Sequence, residues 1–108
     1  MKSKIVSKYK PKSRVSNNYV WVVHHQYGTM PPVNSIDIFK DESEALKYAY
    51  RIVEDYVFEN EFGEDALANY MDEIKLESQY EEAIERFNDD PNAREYCISV
   101  DLFRTRIK

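Results

Sequence analysis

Glycine and cysteine are almost missing from this chain of 108 residues, which holds only Gly28, Gly63 and Cys97 of these types. Two isolated glycines cannot build a loop that cradles phosphates, so the P-loop and dinucleotide fingerprints are excluded. A single cysteine makes no internal disulfide and suits a reducing, cytoplasmic compartment. No apolar run approaches the roughly 18–20 residues of a bilayer span. The longest, Tyr19-Val20-Trp21-Val22-Val23, has the length of a strand. The basic N-terminus lacks the apolar stretch of a secretory signal, and the chain is expected to stay where it is made. Basic residues are scarce in the middle: between Glu54 and Asp90, Lys75 and Arg86 stand against fourteen acids, a net charge of −12.

What is present is enough for one core. The chain is 43% hydrophobic and 14% aromatic, which is too apolar for a disordered polymer, and 32% charged, which suits a soluble globular domain. Its length corresponds to a single domain. The net charge of −5 conceals a segregation, because Met1 to Arg14 carries Lys2, Lys4, Lys8, Lys10, Lys12 and Arg14 with no acid. Residues 1–18 have too few apolar side chains to bury and are read as a flexible basic arm. Residues 19–108 are read as one α+β domain.

Within that domain, YVWVVHHQY from Tyr19 is β-branched and aromatic and is bounded by Gly28 and Pro31-Pro32, so it reads as a strand. Ser35 to Phe39 alternates and forms a second strand, hairpin-paired with the first. Asp41 and Glu44 have capping-box spacing ahead of Ala45, Leu46, Ala49, Val53, Tyr56 and Val57, which recur with helical period. This predicts a main helix closing near Gly63. Shorter amphipathic helices are expected from about Glu64 to Leu76 and from Ser78 onward, the latter ended by the breaker cluster Asn88 to Asn92. Glu95 to Ile107 alternates as a last strand. The architecture that follows is a two-layer sandwich, with a three-stranded antiparallel sheet in the order second, first, third, and one long and two shorter helices. The acidic helices are expected to cover the sheet face opposite the main helix. Trp21, on the central strand, is expected in the core, its truncation to Ala costing about 3–5 kcal/mol.

Chemistry-bearing constellations are few. His24 and His25 are adjacent on a strand and point to opposite faces, so they cannot chelate one metal, and no metal or cofactor site is assigned. A Cys97–histidine pair lacks a third, orienting group at recognisable spacing. An enzyme is not expected. Trp21, His25 and Tyr27 share a strand face with Tyr19, and a core beneath the main helix is the favoured explanation for them. If that face is open, these rings would stack unpaired bases while the basic arm holds phosphates. The acids fall mostly between apolar helical positions and should line an outer surface. Ordinary solvent-facing helices mix lysine with glutamate, and crowding like charges costs stability unless a use offsets it. Glu54, Asp55, Glu59, Glu61, Asp72, Glu73, Glu77, Glu81, Glu82 and Glu85 are therefore the candidate partner-binding residues.

The segment Tyr19 to Glu59, with its valine-rich strand, short IDIF strand and DESEALKYAYRIVEDY helix, resembles the strand–strand–helix units of small accessory proteins of tailed bacteriophages. That resemblance implies a binder that redirects or inhibits a host protein, in some cases as an acidic mimic of nucleic acid. The leading expectation is a non-catalytic module whose acidic helical surface engages a basic protein surface, such as that of a nucleic-acid-binding protein. One alternative is direct nucleic-acid binding by the arm and the aromatic sheet face. Another is head-to-tail assembly, with the arm of one copy on the acidic surface of the next.

Overall fold

The computed structural model describes residues 19–28 and 31–107. The expected arm, with Lys2, Lys4, Lys8, Lys10, Lys12 and Arg14, lies outside the described residues. The fold is α+β, and its sheet is three-stranded and antiparallel in the order β2-β1-β3, with β1 Tyr19–Tyr27, β2 Val33–Phe39 and β3 Ser99–Arg106. The central place of β1 follows from its composition. Val20, Val22 and Val23 are all buried, and they lie on both faces of the central strand.

Register fixes the two sheet faces. Trp21 lies between Phe39 and Arg104, Val23 between Asp37 and Leu102, and His25 between Ser35 and Val100. This is the face under the helices. The helices are α1 Glu42–Glu54, α2 Asp65–Asp72, α3 Tyr80–Asn88 and the one-turn α4 Pro91–Glu95. Ala45, Ala49 and Val53 of α1, Leu67 and Met71 of α2, and Ala83, Ile84 and Phe87 of α3 form one core with Val23, Ile98 and Val100. The two acidic helices therefore pack beside α1 and not across the sheet from it. On the opposite face Val20 and Val22 are buried, while Ile36 and Phe103 at the flanks stand 57% and 47% exposed.

Local differences from the expected elements have identifiable causes. The main helix changes hydrogen-bond pattern after Glu54 and finishes as a π-helical turn, Asp55–Glu59, whose end is closed by the Asn60 amide donating to the Asp55 carbonyl. Asp41 occupies the N-cap of α1 but makes no side-chain cap bond. The breaker cluster starts a helix as well as ending one: Asp90 caps α4 by accepting from the Asn92 amide at 2.8 Å, with Pro91 in the first turn. Asp90 also accepts from the Glu64 amide at 2.9 Å, so this buried carboxylate ties the entry of α2 to α4. β3 starts at Ser99 and not near Glu95, because Cys97 adopts a left-handed φ of 55° and interrupts the extended run. Asn88, at the end of α3, donates to the Val100 carbonyl at 2.8 Å and accepts from its amide at 2.9 Å. The side chain thereby occupies the place of a further strand at that point of the sheet edge.

Candidate interaction surfaces

α3 presents its apolar positions Ala83, Ile84 and Phe87 to the core, so the residues between them turn outward by helical geometry. Glu81, Glu82, Glu85 and Asp89, with Ser78 and Arg86, line an open groove of about 470 Å³. The one cation of this groove among the described residues is already engaged. Arg86 donates to Glu82 from Nε at 3.1 Å and from Nη2 at 3.0 Å, and its guanidinium lies 4.2 Å from the centroid of the Tyr70 ring. Glu81 and Glu82 sit in the first turn, where the helix dipole favours them. Glu85 lies in the last turn and Asp89 is the C-cap, where the same dipole opposes a carboxylate.

The other candidate acids are distributed over four places. Glu54 and Asp72 flank Tyr50, whose ring stacks on Tyr80 with centroids 4.1 Å apart. Burial first, and then the negative charge of Glu54 with smaller contributions from its other neighbours, pushes the Tyr50 hydroxyl up to about 12. Asp55 and Glu59 lie exposed on the π-helical turn, and Glu61 follows with a left-handed φ of 60°. Glu73 is exposed just past α2. Glu77 is tied down, accepting from the Ser43 hydroxyl at 2.6 Å and joining the turn before α3 to the start of α1. The structure therefore gathers Glu81, Glu82 and Glu85 into one surface, adds Asp89 and Ser78 to it, and leaves the remaining seven apart.

The aromatic strand face divides in two. At the Tyr27 end, His25 shares a hydrogen bond with the Tyr56 hydroxyl, and Tyr27 stacks on Tyr56 at 6.3 Å. Tyr56 is carried there by the π-helical turn and also stacks on Phe87. Burial holds the His25 imidazole below its ordinary value of 6.5, with His24 adding to the shift and Asp37 opposing it. At the Tyr19 end, Trp21 is half-buried and not a fully enclosed core side chain. The Arg104 guanidinium lies 4.4 Å from the Tyr19 ring centroid and 5.9 Å from that of Trp21.

His24 emerges on the opposite sheet face, bonded through Nε2 to Asn34 Oδ1 at 2.8 Å and 4.0 Å from Asp101. The two histidines are thus engaged on separate sides of the sheet. Among the described residues no group of three or more His, Cys, Asp and Glu side chains is placed to hold a metal ion, and no helix is long and apolar enough to cross a membrane. Neither a family model, nor a curated protein, nor a solved structure matches the chain.

Proposed function

We propose that this chain is a non-catalytic protein-binding module and that the acidic groove of α3 is its recognition surface for a positively charged partner. The observation that carries this reading is the state of the carboxylates in that groove. Among the described residues only Glu82 has a cation, while Glu85 and Asp89 are kept at a helix end where they oppose the dipole. Such an arrangement lowers stability a little and raises the attraction of basic groups. A rigid helix presenting regularly spaced carboxylates is complementary to a protein surface built to hold phosphates, and the mode of action is occupation of that surface.

The experiment is partner capture by the immobilised full chain from its native lysate, compared with a Glu81→Lys, Glu85→Lys, Asp89→Lys variant. Capture of a basic protein that disappears in the variant, with the circular dichroism spectrum unchanged, is the expected result. Equal capture by both proteins rejects the reading. Glu77 is left intact in this design because its bond to Ser43 is structural.

A further inference from the structure

A second surface lies at the Tyr19 end of the helix-facing side of the sheet, away from the acidic groove and independent of it. Cross-strand register puts Phe39, Trp21 and Arg104 in one row and Tyr19 and Arg106 in the next. Arg106 lies 5.5 Å from the Tyr19 ring centroid, so both arginines rest on aromatic faces. Neither makes an ion pair among the described residues. A guanidinium stacked on a ring keeps its edge donors free for an anion.

Beside Phe39 the row opens into a groove of about 360 Å³ against α1, lined by Phe39, Glu44, Lys47, Tyr48 and Arg51. The Tyr48 ring stands 5.2 Å from Phe39, and its hydroxyl donates to Asp37 at 2.9 Å. This bond fixes the ring in place while leaving it 38% exposed. Rings and cations thus alternate across one end of the sheet: Arg106 and Tyr19, Arg104 and Trp21, then Phe39 and Tyr48 with Lys47 and Arg51.

We propose that this row binds single-stranded nucleic acid, one base entering the groove against Phe39 and Tyr48 and the backbone phosphates resting on Lys47, Arg51, Arg104 and Arg106. Stacking platforms combined with cations suit unpaired bases, whose ring faces a duplex conceals. Glu44, the one acid of the groove, matches the amino edge of a base. The acidic α3 groove of a second copy offers charge to the arginines but no ring to Phe39 and Tyr48, so nucleic acid is the better match.

Trp21 is the single tryptophan of the chain, so its emission reports on the row directly. The test titrates the full chain with a fluorescein-labelled oligodeoxycytidine at low salt, following anisotropy and Trp21 quenching. An Arg104→Ala, Arg106→Ala variant and a Tyr48→Leu variant, both with the N-terminal lysines intact, are run in parallel. Expected are quenching by the wild type, binding weakened roughly tenfold in each variant, and a salt slope shallower by about 1.4 in the double variant, which loses two phosphate contacts. Three results of the titration itself would overturn the assignment. They are no binding at low salt, binding unchanged in both folded variants, or equal affinity for the duplex. Trp21 quenching and growth in mass with protein concentration alone, lost in the arginine variant, would assign the row to a second copy and also overturn it. If the arginine variant fails to fold by circular dichroism, Tyr48→Leu and Lys47→Ala decide the matter.

Discussion

The two ends of β1 present the same kind of residue on the same sheet face and meet different fates. At the Tyr27 end, His25 and Tyr27 are gathered under Tyr56, which itself stacks on the fully buried Phe87. At the Tyr19 end, Tyr19 and Trp21 receive arginines and remain half-exposed. Strand alternation decides which side of a sheet a ring joins. What the helices deliver above it decides whether the ring is met by another ring or by a cation, while Tyr27 itself stays 43% exposed. Here the π-helical turn delivers an aromatic to one end only.

The sharpest way to break this comparison is truncation at each end. Phe87→Ala, with no exposed surface in the wild type, should cost about 3–5 kcal/mol. Trp21→Ala, at the open end, should cost about 1–2 kcal/mol. Both are read from urea unfolding, and equal losses would mean that the Tyr19 end is core after all. Asn88→Ala falls between them, at about 1–3 kcal/mol, because it leaves the amide and carbonyl of buried Val100 without partners.

A smaller effect separates the ends by pH. The fold depresses the affinity of His25 for its proton, so the unfolded chain binds more protons in the interval below 6.5, and this contribution to stability is present above that value and lost as pH falls through the interval. The melting temperature should therefore drop on acidification below pH 6.5, and His25→Gln should flatten that drop. An unchanged profile in the variant would remove His25 from the explanation. Smallest of all, Glu85→Gln with Asp89→Asn should raise stability by roughly 0.3–1 kcal/mol, since carboxylates at a helix C-terminus are unfavourable. A loss in thermal melts would show that these carboxylates hold the fold, not a partner.

Much of the scaffold was legible because its signals are local. The β-branched run of β1, the spacing of Ala45, Ala49 and Val53, and the alternation through Val100 and Leu102 each report one buried face, and together they impose the sheet order. The π-helical turn left no trace in that spacing, because Val53, Tyr56 and Val57 have the same period whether the next bond reaches four residues or five. The start of α4 was hidden in residues that equally well end a helix; Asp90 and Pro91 do both.

For the surfaces, the sequence shows the excess of acid between Glu54 and Asp90 but not its division. Which carboxylates share a groove depends on how α3 sits against α1 and α2, and so Ser78 and Asp89 join it while Glu54, Asp72 and Glu77 serve elsewhere. Tyr19 stood on the aromatic face from the start, whereas Arg104 and Arg106 gained meaning only through register, which sets them opposite Trp21 and Tyr19 across more than eighty positions of chain.

The claim that an unneutralised carboxylate array does the recognising is tested most directly by the salt dependence of affinity for the captured partner. Titration calorimetry between low and high sodium chloride should show the dissociation constant rising steeply for the wild type, and far less for the Glu81→Lys, Glu85→Lys, Asp89→Lys variant. An affinity that stays level across the salt range would contradict the account.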